Sequence, residues 1–162
     1  MAQADILLQL DGVKGEAAYK DHEGEIEIAS FQWGLRSTGS TGYAGSGGGS
    51  KPQITEIVLT KPIDKSSPIL MGKAAKGAKI EKGKLFFRKA GGADALEYMV
   101  IEMENIYITS FTTSKSSGPD HIDSMTITFD KLKITYTAQS ATGAKGSGPV
   151  QFTYDATDPK KP

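Results

Sequence analysis

The stretch "MTITFDKLKITYTA", residues 125 to 138, alternates apolar and polar side chains with a period of two, the signature of a strand with one buried face. Met125, Ile127 and Phe129 share one parity; after a step at Asp130 and Lys131, Leu132, Ile134, Tyr136 and Ala138 share another, with Lys131, Lys133 and Thr135 outside. The step predicts a tight pair of half-buried strands. "EYMVIEMENIYITSF", residues 97 to 111, is apolar on both parities through Met103 and so can be covered on both sides. It then alternates as Ile106 and Ile108 against Tyr107, Thr109 and Phe111. Further strands are expected at residues 5 to 10, 25 to 34, 54 to 60, 84 to 89 and 150 to 154, each bounded by Gly, Pro, Asp or Ser. Some eight strands in 162 residues, a normal length for one domain with one core, predict a mainly β fold, a small β-barrel or a sandwich of two packed sheets.

One segment breaks the pattern. "SSPILMGKAAKG" reads as a short flanking α-helix over about residues 67 to 76, with Ser66 or Ser67 as N-cap, Pro68 near the first turn and Gly77 as the stop. Ile69, Leu70, Ala74 and Ala75 are expected to face the sheet and Lys73 and Lys76 to face water, which makes the helix a plug at one end of the β structure.

The Gly/Ser-rich run "STGSTGYAGSGGGSK", residues 37 to 51, is not a phosphate loop, because Lys51 is followed by Pro52 and strand-like "QITEIVL" where G-x-x-x-x-G-K-[ST] needs a helix. Nor is it a domain linker, since the 36 residues before it hold too few strands to fold alone. A single domain over residues 1 to 162 with an extended loop at 37 to 51 is the expected organisation.

Nineteen basic and nineteen acidic residues cancel, so no global field draws nucleic acid or an anionic membrane, and no run of the sequence is long and apolar enough for insertion. The absence of cysteine removes disulfides, thiolate nucleophiles and cysteine zinc sites. The N-terminal "MAQADILLQL" lacks a basic region and a long apolar run, so no cleaved signal peptide is expected. His121 stands in "PDHID" between Asp120 and Asp123, and His22 in "KDHEGE". Both read as exposed loop histidines without a converging third ligand or a nucleophile, so no catalytic residue, metal or cofactor is assigned. Charge is segregated all the same: residues 11 to 27 are acidic, with Glu23, Glu25 and Glu27 among them, and residues 72 to 89 are basic, with Lys76, Lys79 and Lys82. Such runs form either two solvated faces or complementary inter-subunit patches in a head-to-tail assembly.

"DGVKGE" at 11 to 16, "GEIEIASFQWG" at 24 to 34, "TKPIDKSSPILM" at 60 to 71, "FRKAGG" at 87 to 92, "MTITFDKLKITYT" at 125 to 137 and "GPVQFTYD" near the end together resemble the Hcp (haemolysin-coregulated protein) family of bacterial type VI secretion systems. The resemblance implies a β-barrel with one flanking helix, and six copies closed into a ring whose stacked rings form a tube. A contractile sheath, a spike protein and effectors carried in the pore are its implied partners. It also implies a non-enzyme, cytoplasmic before firing and then secreted to the medium or a target cell. On this reading the bend expected near Ala29 and Ser30 turns Phe31 and Trp33 into the core and leaves Gln32 facing outward, with Ser30 and Gln32 as candidate pore-lining contacts for effectors. The loop at 37 to 51 corresponds to the family's projection toward the next ring. Gly39, Gly42, Gly45, Gly47, Gly48 and Gly49 would give it freedom and Tyr43 an anchor. The alternative is a barrel or sandwich module that binds a small ligand or sugar.

Overall fold

The alternating stretches become strands β1 (Asp5–Leu10), β2 (Ile26–Ile28), β3 (Ser30–Gln32), β4 (Leu35–Arg36), β5 (Gln53–Ile54), β6 (Ile57–Pro62), β7 (Ile80–Lys89), β8 (Leu96–Lys115), β9 (His121–Thr128), β10 (Lys131–Tyr136) and β11 (Val150–Asp155), with one helix, α1 (Ser66–Lys76). The computed structural model describes residues 5–36, 52–89, 95–115, 117–118, 121–138 and 148–158. Among the described residues nine strands are hydrogen-bonded together, seven in one path with β10 and β11 branching from β8, and they fold into two sheets sharing β8. The first sheet runs β2-β1-β7-β8-β10-β11 and the second β8-β9-β6-β3, all antiparallel. The ends of the β2-β1-β7-β8-β9-β6-β3 path, β2 and β3, are successive pieces of one strand, so the covalent chain brings the path back on itself.

The expected bend lies at Ala29. There the chain leaves β1 for β6, and the Ala29 N–H donates to Thr60 O at 2.7 Å. The expected hairpin at Asp130 is not one. β9 and β10 do not pair with each other; both lie antiparallel along β8, β9 against Tyr107–Lys115 and β10 against Met99–Glu104, and the step marks the corner where the chain passes between sheets. The corner is built from Asn105, whose φ of 53° is left-handed and whose amide donates to Asp130 Oδ2 at 3.1 Å, and from the Asp130 N–H, which donates to Glu104 O at 3.1 Å. A two-residue step along one strand and a two-residue turn between strands look alike in sequence, because both reverse the parity of the buried side chains.

A second re-phasing was hidden. The β8–β9 register shifts between Ile108 and Ser110, so Ile106 and Ile108 point into the core and so does Phe111, which the uninterrupted alternation had placed outside. Between the sheets lie Leu8, Ile26, Ile57, Leu59, Leu85, Ile101, Met103, Ile106, Met125 and Ile127, each at most 1% exposed. Each such side chain contributes about 1.5–3 kcal/mol over its exposed form.

Helix α1 packs against β8 through Leu70 and Ala74, as expected, while Ile69 and Ala75 face outward and Ser66 and Ser67 are buried instead. Neither serine is the N-cap. Lys65 holds that position, and the capping acceptor is Asp64, whose Oδ1 takes the Ser66 N–H at 2.9 Å. Gly77 closes the helix at φ 58°. No helix among the described residues is long and apolar enough to cross a membrane.

Between β1 and β2 the chain forms a strap across the outer face of the first sheet. Gly15 and Ala17 donate backbone hydrogen bonds to Gly24 and Glu25 at 2.8 and 3.0 Å, and a Cβ on Gly15 would collide with the Glu25 carbonyl. The strap covers Leu7 and Phe86, which belong to the outward parity of their strands.

Candidate functional site

The outer face of the second sheet carries the two residues singled out for contact. Phe31 turns inward onto Phe87, ring centroids 5.1 Å apart, and Trp33 packs on the same core, so Ser30 and Gln32 project outward and are exposed. Register extends each of them into a row. Ser30 lies beside Thr60, then Ser124, then Thr112; Gln32 lies beside Val58, then Thr126, then Ser110. The Ser30 and Thr60 hydroxyls share a hydrogen bond at 2.5 Å. With Thr128 and Ser114 on the same parity, this face carries hydroxyls and one amide interrupted by Val58 and by Ile122, the partner of Ser114, and these residues include no charge. The sequence holds the signal for it in the polar half of the alternation, Thr126 and Thr128 between Met125, Ile127 and Phe129. Which strands stand side by side could be read only from the register.

Around the rim the charges are buried rather than displayed. Lys61, on the inward parity of β6, is fully buried, with Nζ 3.1 Å from Asp123 Oδ2, 2.9 Å from Asp64 Oδ1, 3.0 Å from Ser67 Oγ and 2.8 Å from Pro62 O. The Ser67 hydroxyl also donates to Asp123 and accepts from the Asp64 N–H. This network ties the first turn of α1 to β6 and β9. Asp123 therefore serves Lys61, while His121, two residues away, is exposed at the strand end.

The two charged runs lie on neighbouring strands of one subunit. Glu27 on β2 and Lys82 on β7 flank β1, and both are exposed, as are Glu23 and Lys76. Two candidates are engaged within the chain. Lys79 pairs with Glu81 at 3.0 Å, and the hydrogen bond and charge of Glu81 hold its ammonium above the ordinary lysine range. Glu25 pairs with His22. That histidine, expected in an exposed loop, is 6% exposed at the tip of the strap, with Nδ1 2.8 Å from Glu25 Oε2, Nε2 2.7 Å from Glu97 Oε1 and its ring edge-on to Phe86. The carboxylates sit on opposite ring nitrogens and cannot converge on one ion. Beside it Tyr19 lies under the Arg88 guanidinium, 5.3 Å from its carbon to the ring centroid. Burial, then the charges of Asp5 and Glu27 and a hydrogen bond to Asp5, hold the Tyr19 hydroxyl above its ordinary range, with Arg88 opposing.

Residues 37 to 51, including Tyr43 and the six glycines, lie outside the described residues. Their roots are described: β4 and β5 form a two-stranded ribbon with Arg36 beside Gln53, and Thr55 both accepts from the Gly34 N–H at 2.9 Å and donates to the Gly34 carbonyl at 2.5 Å. The chain leaves and returns at one place.

The family model for "Type VI secretion system effector, Hcp" matches residues 7–136. The curated Protein hcp1 of Pseudomonas aeruginosa is 35% identical over 149 residues, covering 91% of this chain and 92% of that one. Among solved structures, Hcp1 from Salmonella typhimurium aligns over 97% of both chains at 30% identity with a TM-score of 0.78. A structure described as a type six secretion system protein shares the fold, with a TM-score of 0.87 at 20% identity over 98% of this chain and 99% of that one. The two-sheet β fold with one helix among the described residues, the motifs in their order and these relatives agree: the chain belongs to the Hcp family of type VI secretion system proteins.

Proposed function

We propose that the chain is a structural subunit of the type VI secretion tube, one barrel domain that closes with five copies into a ring, stacks ring on ring, and receives effectors in the pore. The observation that carries this reading is the outer face of the second sheet. A face of Ser, Thr and Gln side chains with two apolar residues, Val58 and Ile122, and no charge among them can hydrogen-bond to many protein surfaces and repel none, as a conduit for unrelated cargo requires. The same sheet has two edges available for head-to-tail joining. Among the described residues β3 pairs only with β6, and beyond Ile106 β8 pairs only with β9, so one subunit's β3 edge can continue the sheet of its neighbour. Ser30 and Gln32 then line the pore. The loop at 37 to 51 reaches toward the next ring, with Tyr43 as its anchor. Glu23 and Glu27 meet Lys76 and Lys82 across the subunit boundary. Sheath, spike and effectors are the partners, and the protein leaves the cytoplasm with the tube, without catalysing a reaction.

Light scattering and negative-stain microscopy test the assembly: a hexameric ring at micromolar concentration is expected, and a monomer there overturns the tube reading. Gln32→Arg tests the wall. The ring should persist, because the side chain stands clear of the core, while retention of at least one effector falls. Unchanged retention of every effector tested removes Gln32 from the contact surface.

A further inference from the structure

Exposed apolar side chains gather at two places that the strand-edge contact does not use. We infer that the inner face of the β10–β11 end of the first sheet is the seat for helix α1 of a second copy of this chain. The inference rests on the ring reading above and adds to it a contact between side chains.

The seat is core surface that has run out of cover. Residues opposite one another in register share a face, so the inward side of β10 and β11 consists of the pairs Leu132–Tyr154, Ile134–Phe152 and Tyr136–Val150. Exposure climbs along them: Leu132 is 2% exposed, Phe152 40%, Tyr136 45% and Val150 70%. Among the described residues the far edge of β11 is unpaired, and this six-residue strand has neither Pro nor Lys to blunt it. An apolar face beside an open edge is a contact surface.

Helix α1 is apolar on two sides. Leu70 and Ala74 pack on the core, while Pro68, Met71 and Ala75, spaced as successive turns of one stripe, are exposed together with Ile69. A helix on the surface of a lone subunit needs one apolar stripe, and the second calls for cover from outside. Lys73 and Lys76 flank it and the helix carries no acid, which suits a seat bordered by Glu97, beside Tyr98, and by Asp155, beyond Tyr154. The cation at that border, Lys89, already lies over the Tyr98 ring, 4.7 Å from Nζ to the centroid.

A second copy is the occupant because the two patches adjoin the two edges already assigned to the subunit boundary. The seat adjoins β3: the rings of Phe31 on β3, Phe87, Tyr98 and Tyr136 follow one another at centroid separations of 5.1, 6.3 and 6.4 Å. The helix adjoins the half of β8 beyond Ile106. Ser67 in its first turn donates to Asp123, the register partner of Thr113, and the chain after its end enters β7 at Ile80, the partner of Ile106. When β3 of one subunit continues its neighbour's sheet along β8, its seat is carried toward the neighbour's α1. Unlike patches meet, so the contact is head-to-tail and can repeat around a ring.

The chain holds no cysteine, so introduced thiols report this contact alone. Val150→Cys and Phe152→Cys are each co-expressed with Ile69→Cys and with Met71→Cys, and the assembled protein is treated with a short bismaleimide. At least one pairing should give a covalent dimer on a denaturing gel that neither variant gives alone. Phe152→Asp, which puts a charge into the seat, should raise the concentration needed for assembly at least about tenfold. Parent rings with no mixed dimer in any of the four pairings, or with assembly unaltered by Phe152→Asp, overturn the seat and leave the ring reading standing. Dimers formed by single variants alone show like patches meeting and overturn the head-to-tail assignment. A monomeric parent overturns the ring reading, and the seat with it.

Discussion

Lysines meet carboxylates across strands in two regions of this molecule, and the two do opposite work. On the rim of the second sheet, Lys61 and Asp123 are both fully buried and share Ser67, while Asp64 also faces Lys61. On the outer face of the first sheet, Lys84, Glu102 and Lys133 form one cross-strand row and Glu104, Lys131 and Asp155 another, with contacts of 3.5 to 3.8 Å between side chains 30 to 48% exposed. Buried charges fix geometry because neither can be left alone, whereas exposed ones are free to rearrange with water and salt. The first sheet can therefore keep charge on its surface at little cost. The second sheet places its charge on the inward parity, and the outward parity beside it holds hydroxyls.

The contrast breaks most visibly at Lys61. Lys61→Met keeps the volume but leaves the fully buried Asp123 and the half-buried Asp64 without their cation, so unfolding by urea at neutral pH should show a loss of about 3–5 kcal/mol. Adding Asp123→Leu should return part of that loss, because an apolar pair of similar volume removes the stranded charge. A Lys61→Met protein as stable as the parent would mean that water reaches the rim and that burial is not what distinguishes the regions.

Between the regions lies the corner at Asn105 and Asp130, which gives the next prediction. Asn105→Ala places a Cβ without a compensating polar group at φ 53° and removes the bond to Asp130, for a loss of about 1–2 kcal/mol. Asn105→Gly, free of the left-handed penalty, should lose less. If glycine costs as much as alanine in thermal unfolding, the side-chain bond and not the backbone turn sets the corner.

Legibility in the sequence follows the same division. Strand identity, the bend at Ala29, the stop at Gly77 and the outward Gln32 were readable because each is local: parity, φ preference and a change of period are written in neighbouring residues. The Asp130 step, the re-phasing after Ile108 and the buried state of Lys61 and His22 were not. Each depends on a partner far along the chain, 62 residues for Lys61 and Asp123 and 75 for His22 and Glu97. A lysine at an alternation position reads as solvent-facing until its acceptors are known, and "KDHEGE" reads as an open loop until Phe86 and Glu97 are placed beneath it. The hydroxyl wall lay between these extremes, its composition visible strand by strand and its continuity only in the sheet.

The smallest effect is expected on the outer face of the first sheet, and it is the sharpest check on the contrast because it predicts near-silence. Lys133 Nζ lies 3.8 Å from Glu102, which also faces Lys84 at 3.5 Å; both contacts have partners about two-fifths exposed. At such exposure the attraction is screened, and fixing two long side chains costs entropy comparable to the gain. Lys133→Ala, Glu102→Ala and the double variant should therefore give a coupling energy of about 0–0.5 kcal/mol in low salt and none measurable at 1 M, where the screening length is about 3 Å. Glu102 has a second lysine, so losing Lys133 leaves it paired, which lowers the coupling further. A coupling above about 1 kcal/mol that survives high salt would show the row to be rigid and shielded, as a face covered by a neighbouring subunit would be. The same cycle repeated below and above the concentration of assembly would then locate that neighbour on the first sheet rather than along the edges of the second.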